Sequence, residues 1–454
     1  MAFISSMVAH VVGWTAAVFY HVEQVGSPLP DGPVLVTANH PNALLDPLLI
    51  FRTAGRPARP LAKAPLFEQV FVGTMLRGLG GLPVYRRQDD PAQMHRNDET
   101  FRRAIDALVR GDAVQIFPEG RSHSEPSLVP LRTGAARIAL GAESQSNWQL
   151  GLRIVPVGIT YRRKTLFRGR ALVHIGEPFQ IGDLRATFET DAPSAVRALT
   201  ERIAEKLAEV TLNLTQQEDQ ELIEAAEALY VREKGLARPR EREGLGVRMP
   251  RLQRFARGLA WLRAQDPGRH EELRRAVLRY RRTATLLGAR EGDVPRQYAI
   301  GPTLRYTLRT TASLALAAPA AWLGTLLWLV PYFIPRLVVR FVQPEPESIA
   351  TYKLAGGFFA FPLTLSAYVY AGWRLAGGRA AIATALLAPL LGFVALAWHE
   401  GWHRFGEDVR LFWRVLMRRK TADRLADLRA HLVREFDHID QALAEPAAAG
   451  QPVE

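Results

Sequence analysis

His40 stands immediately before Pro41 and six positions ahead of Asp46. A residue that precedes proline is kept out of the helical region, so His40 is held extended while Asp46 falls in the first turn of the helix that follows. An imidazole beside a carboxylate makes a general base: the anion fixes the tautomer and stabilises the imidazolium that forms when a proton is taken. Alone, the pair is weak evidence, because a structural histidine with satisfied partners is the commoner case. A second cluster, Phe117-Pro118-Glu119-Gly120-Arg121-Ser122, puts charge in a turn behind an apolar run. A third, Gly80 to Arg87, delivers Arg86, whose planar guanidinium can hold a phosphate by two parallel hydrogen bonds. The chain has no cysteine, which removes thiol nucleophiles, disulfides and cysteine zinc sites. No metal site is expected, since His10, His21, His95 and His123 lack ligand spacing and acidic partners.

These residues need a scaffold that brings distant turns together. Residues 33–38, 82–85, 113–117, 154–160 and 171–175 read as short strands, and 43–51, 98–109 and 133–140 as helices. Strands alternating with helices predict an α/β domain, a sheet with flanking helices, over 26–215. In open α/β sheets ligands bind at the C-terminal strand ends, where His40, Arg86 and Glu119 fall. Residues 216–300 read as a charged helical region. Residues 1–25 read as an interfacial helix.

Three charge-free stretches, Thr310 to Pro335, Leu354 to Trp373 and Ala380 to Trp398, are each near the roughly 20 residues that cross a bilayer. We therefore expect a transmembrane region over 301–400. Pro319, Pro331 and Pro335 suggest that the first stretch is broken or re-entrant, which leaves an even number of crossings. A basic amphipathic helical tail over 401–454 carries Leu425, Leu428, Leu432, Phe436, Ile439 and Leu443 on one face. With 58 Lys and Arg against 45 Asp and Glu, the net charge is +13. An anionic lipid surface accounts for that surplus better than nucleic acid, for which no reader motif exists.

Taken together and in order, Asn39-His40-Pro41-Asn42-Ala43-Leu44-Leu45-Asp46-Pro47, Gly80 to Arg87, Phe117 to Leu140 and Ile154 to Tyr161 resemble the glycerolipid acyltransferase superfamily over about residues 30–185. Five residues between His40 and Asp46, where most of the family has four, look like the branch of fungal glycerol-3-phosphate and dihydroxyacetone-phosphate acyltransferases. The resemblance implies His40 as base, Asp46 as its carboxylate, Arg86 on the glycerol phosphate, and Glu119, Gly120, Arg121 and Lys63 as further substrate-binding residues. It implies acyl transfer from acyl-CoA or acyl carrier protein, as co-substrate and without a resident cofactor, to glycerol-3-phosphate or dihydroxyacetone phosphate. Acylation of 1-acylglycerol-3-phosphate is the neighbouring alternative, and a non-catalytic lipid-binding scaffold the alternative from another class. Backbone N–H groups near Gly120 are the expected oxyanion donors, and His123 a structural or supporting residue. The expected location is integral in a membrane, with the catalytic domain on the cytoplasmic face. Every motif lies before 185, so truncation after about 300 is expected to leave the chemistry intact.

Overall fold

In the computed structural model, which describes residues 19–86, 91–216, 218–236, 243–286, 300–417 and 419–448, seven strands form one sheet in the order β1-β7-β6-β2-β5-β3-β4. They are β1 (Tyr20–Val25), β2 (Val34–Ala38), β3 (Ala58–Lys63), β4 (Leu82–Val84), β5 (Ala113–Ile116), β6 (Arg153–Arg162) and β7 (Gly169–Ile175). β6, β2, β5, β3 and β4 are mutually parallel. β7 runs antiparallel to β6, and β1 parallel to β7.

Side chains alternate across a strand, and here both faces are covered. Leu35 and Ile154 enter one cluster with helices Asn97–Val109, Gly134–Gln145 and Ala192–Val210. Val34, Val36, Ala38, Val155 and Val157 enter the other, with helix Leu45–Thr53. Burial on both faces explains why β2 and β5 are fully buried runs, as parallel central strands are.

Two strands depart from the sequence reading. Tyr20–Val25, expected within an interfacial helix over 1–25, is the edge strand β1, in register with β7. The rest of that expected helix, residues 1–18, lies outside the described residues. Ala58–Lys63, which carries no strand pattern in its sequence, is β3.

The chain divides into two units. The first comprises residues 1–213, 244–249 and 343–354. Ala350 is fully buried in its second core cluster, and Leu354 packs there too. This corrects the expectation that truncation after 300 spares the catalytic domain, because part of that domain's core comes from 343–354. The second unit is helical. In it, helices Asp219–Glu233 and Pro267–Leu286 pack with the tail helix Arg419–Ala448 through Leu222, Leu229, Val277, Leu425, Leu432 and Phe436. The tail stripe is therefore a packing face.

The second unit also holds most of helices Ile300–Val342 and Ile349–Met417, both long and apolar enough to cross a membrane. Their apolar surface is mostly exposed: Leu316, Leu363 and Leu375 are 86%, 73% and 87% accessible. Pro319, Pro331 and Pro335 lie inside a continuous helix, so the expected break is not there. The break falls in the second helix, where Ala376 and Gly377 leave helical geometry and Gly377 takes φ +75°. A Cβ on Gly372 would lie 2.9 Å from Thr384 Oγ1, so the chain folds back at that break. Trp328 stacks on Phe361 and donates to the Ala388 carbonyl at 2.7 Å, which packs the three helical segments side by side.

Candidate active site

Parallel strands point their C-terminal ends to one edge, and the residues singled out in sequence sit just beyond them. His40 lies two residues past β2, Glu119 three past β5 and Arg86 two past β4, while Lys63 closes β3. Because β1 runs the other way, its first residue, Tyr20, reaches the same edge.

The turn between β2 and helix Leu45–Thr53 shapes the site. Asn39 extends the sheet, accepting the Ile159 N–H at 2.7 Å and donating to the Ile159 carbonyl at 3.0 Å. Within this turn Ala43 takes a left-handed φ of +40°. Asp46 then falls in the helix's first turn, fully buried, with Oδ2 2.8 Å from His40 Nδ1. Oδ2 also accepts the Asn42 N–H at 2.6 Å, and Oδ1 accepts the Tyr161 hydroxyl at 2.7 Å. Three donors on two oxygens suit an ionised, acceptor-only carboxylate. His40 therefore carries its proton on Nδ1, and Nε2 keeps a lone pair. The imidazole lies flat on Phe117, centroids 3.9 Å apart, and its side chain is 18% exposed.

Burial, and then the Asp46 charge, push the Tyr161 pKa well above the ordinary tyrosine range, so Tyr161 stays an O–H donor. Burial raises Tyr20 likewise. Asn42 Nδ2 donates to the Tyr20 hydroxyl at 2.9 Å, and that hydroxyl donates to the Lys164 carbonyl.

Glu119, also fully buried in its side chain, holds the backbone of the base. The His40 N–H donates to Oε2 at 2.7 Å, and His123 Nε2 meets Oε1 at 2.7 Å. The His123 N–H donates to the His40 carbonyl at 3.1 Å, which closes a ring around the His40 peptide. His123 Nδ1 accepts the Glu125 N–H at 3.2 Å, so its proton sits on Nε2, toward Glu119. Gly120 takes φ +73°, and its N–H is tied to the Phe117 carbonyl at 3.1 Å. Its own amide is therefore not a free oxyanion donor, which leaves the neighbouring N–H groups of the expected set. Arg121 follows, exposed. His40, Glu119, His123, Leu128 and Asn213 line a small cleft of about 50 Å³.

The structure thus joins His40, Asp46 and Glu119 by hydrogen bonds, with Gly120 and Arg121 in the same loop. Lys63 and Arg86 form a separate group, two and three strands along the same edge. Tyr161, Asn42 and Tyr20 were missed, although Tyr161 closes a block already singled out. His399-Glu400-Gly401-Trp402-His403 has the H-E-x-x-H spacing of helical zinc sites. Among the described residues no three metal-ligating side chains converge, and His399 Nε2 meets Thr325 Oγ1 at 3.0 Å.

A family model described as Acyltransferase matches residues 20–160. The chain is 36% identical over 135 residues to glycerol-3-phosphate O-acyltransferase 2 of Saccharomyces cerevisiae, an alignment covering 30% of this chain and only 18% of that relative. It is 29% identical over 162 residues to the 1-acyl-sn-glycerol-3-phosphate acyltransferase of Bacillus subtilis, covering 34% of this chain and 70% of that one. A crystal structure of the 1-acyl-sn-glycerophosphate acyltransferase of Thermotoga maritima aligns with a TM-score of 0.34 at 22% identity, covering 45% of this chain and 80% of that one.

Proposed function

We propose, from the premise that residues 20–160 form an acyltransferase domain of the glycerolipid acyltransferase superfamily, that this chain is a membrane-anchored glycerol-3-phosphate O-acyltransferase. One observation carries the chemistry: His40 Nδ1 lies 2.8 Å from a buried Asp46, which leaves Nε2 as the base. Nε2 takes the proton of an acceptor hydroxyl as that oxygen attacks the carbonyl carbon of an acyl thioester. The tetrahedral intermediate collapses by breaking the C–S bond, and the imidazolium returns the proton to the departing thiolate. Asp46 stabilises the imidazolium between these steps. Lys63 and Arg86, farther along the strand-end edge, are the cations for the acceptor phosphate, and acyl-CoA or acyl carrier protein supplies the thioester. The exposed apolar helices within 300–417 support anchoring. Arg410, Arg414, Arg419 and Lys420 after the last apolar stretch favour a cytoplasmic face for that end.

The likeness to the yeast enzyme supports glycerol-3-phosphate as acceptor, while the likeness to the Bacillus enzyme supports a second reading, 1-acylglycerol-3-phosphate. Purified full-length protein assayed with acyl-CoA against glycerol-3-phosphate, dihydroxyacetone phosphate and 1-acylglycerol-3-phosphate decides between them. Highest kcat/KM on glycerol-3-phosphate is the expected outcome, and preference for the acylated acceptor establishes the second reading. Arg86→Lys, which keeps the charge but loses the fork, should raise KM for the preferred acceptor and not for the donor. A change in donor KM alone places Arg86 in the donor site.

A further inference from the structure

The turn between β6 and β7 is the most basic short segment of the sheet domain. Arg162, Arg163, Lys164, Arg168 and Arg170 fall within nine residues, with no acid among them. Arg170 faces Glu23 at 3.9 Å, which neutralises part of one charge. At the tip stand two large apolar side chains, Leu166 and Phe167, 49% and 42% exposed. The turn is built, not loose. The Leu166 N–H donates to the Arg163 carbonyl and the Gly169 N–H to the Leu166 carbonyl, each at 3.0 Å, and the Arg168 N–H donates to the Phe19 carbonyl at 2.7 Å. Arg163 and Arg168 hold left-handed backbone, φ +61° and +59°. That conformation is unfavourable for a residue with a Cβ, so the surrounding structure imposes a shape that displays Leu166 and Phe167.

The turn is also tied to residues 343–354, the six-residue connector between the two long apolar helices and the start of the second helix, which fold into the same unit. Lys353 Nζ donates to the Thr165 carbonyl at 2.7 Å. Lys164 Nζ donates to Ser124 Oγ, and Ser124 Oγ to Glu347 Oε1, each at 2.6 Å. A connector between two membrane-embedded helices lies at the bilayer surface, because its polar backbone is not satisfied inside hydrocarbon. A turn hydrogen-bonded to that connector lies at the same level.

We propose that the β6–β7 turn is an interfacial insertion loop, with Leu166 and Phe167 in the headgroup boundary and Arg163 and Arg168 on the headgroups of anionic phospholipids. This rests on the membrane anchoring proposed above. Basic residues around an apolar tip are the composition that binds such an interface, and each cation near an anionic leaflet changes partitioning roughly fivefold. The loop follows directly on Tyr161, so its insertion sets the catalytic edge at the plane where an amphipathic acyl donor and product exchange with lipid.

The cysteine-free sequence gives a single-site test. Full-length Leu166→Cys and Ser144→Cys, the latter on an exposed helix position of the same unit, are labelled with an environment-sensitive fluorophore. They are reconstituted in phosphatidylcholine vesicles with and without phosphatidylglycerol. The label at 166 should be blue-shifted and quenched by spin-labelled lipid, more so with phosphatidylglycerol, while the label at 144 stays open to aqueous iodide. Adding Arg163→Asn to Leu166→Cys removes one charge with a residue that tolerates left-handed backbone. It should weaken the phosphatidylglycerol effect roughly fivefold. Equal iodide access at 166 and 144 in both vesicles overturns the proposal. Protection of 166 only on adding an acyl carrier protein also overturns it, making the turn a protein-docking site. Alkaline carbonate extraction of the same vesicles separates the two failures: release of the protein refutes the anchoring, whereas a retained protein with a water-exposed label at 166 refutes the insertion alone.

Discussion

At the scale of single residues, the base is held from two sides, through its ring by Asp46 and through its backbone by Glu119 and His123. His40→Ala should lower kcat by about 10²–10⁴-fold, and Asp46→Asn nearly as much, since an amide neither fixes the Nδ1–H tautomer nor stabilises the imidazolium. Thermal unfolding should show both variants folded, and activity within a few-fold of wild type in His40→Ala refutes the mechanism. His123 acts through position. His123→Gln keeps an Nε2 donor for the buried Glu119 and should retain most of kcat. His123→Leu leaves that carboxylate short of a donor and should lose roughly 1–3 kcal/mol of stability, with kcat falling while acceptor KM stays put. Equal kcat in the Gln and Leu variants argues against the ring. His40, Asp46 and Glu119 were legible because each is local to a motif whose turn chemistry is written in adjacent residues. Tyr161 lies 115 positions from Asp46 and Tyr20 22 positions from Asn42. No spacing rule links either pair: Tyr161 reaches Asp46 because β6 lies parallel beside β2, and Tyr20 reaches Asn42 because β1 runs against the other strands.

At the scale of elements, the legible strands were those buried on both faces, such as β2 and β5, whose apolar runs leave little choice. β3 reads Ala58-Arg59-Pro60-Leu61-Ala62-Lys63, with two cations and a proline and no period of two, and its pairing to β5 and β4 decides its state. β1 lies at the sheet edge and carries His21, Glu23 and Gln24 among its apolar positions, so nothing local separates it from the apolar run before it. The prolines of helix Ile300–Val342 do not break its helical geometry, since neighbouring helices can satisfy the freed carbonyls of a proline-containing apolar helix. The turn after His40 gives the element-scale prediction. Ala43→Gly relieves the left-handed strain and loosens the unfolded chain by a similar amount, so stability should change by less than about 1 kcal/mol with activity kept. Ala43→Val puts a branched Cβ where φ is +40°. It should destabilise by more than about 1 kcal/mol and lower kcat by displacing Asp46. Thermal midpoints and turnover of the two variants check this, and an undisturbed Val variant contradicts the strained turn.

At the scale of the whole molecule, chain connectivity restricts how the proposed anchor meets a bilayer. Residues 20–213 and 343–354 fold into one unit and so share one side of a membrane. Residues 214–299 and helix Ile300–Val342 join them, so that helix must end on the face where it began, which is the re-entrant alternative for the first apolar stretch. The tail helix packs on helix Asp219–Glu233, with Arg429 Nε 2.8 Å from Glu233 and Lys234 Nζ 2.7 Å from Asp437. Helix Ile349–Met417 therefore also returns, and its break at Ala376–Gly377 is the place to turn. Full-length protein should resist alkaline carbonate. A membrane-impermeant maleimide should reach Gly378→Cys from the face opposite to Glu345→Cys; labelling of both from one face excludes a crossing hairpin. The buried Ala350 has a further consequence, one of time. During synthesis, residues 20–213 leave the ribosome 141 residues before the chain reaches position 354. At about 5–20 residues per second this is a delay of roughly 7–28 s. Throughout that interval the sheet stands with a gap in its second core, and the gap closes only after the whole of helix Ile300–Val342 has been made. The order of translation thus places completion of the catalytic edge after the first apolar helix, so the domain finishes folding beside the lipid it is proposed to serve.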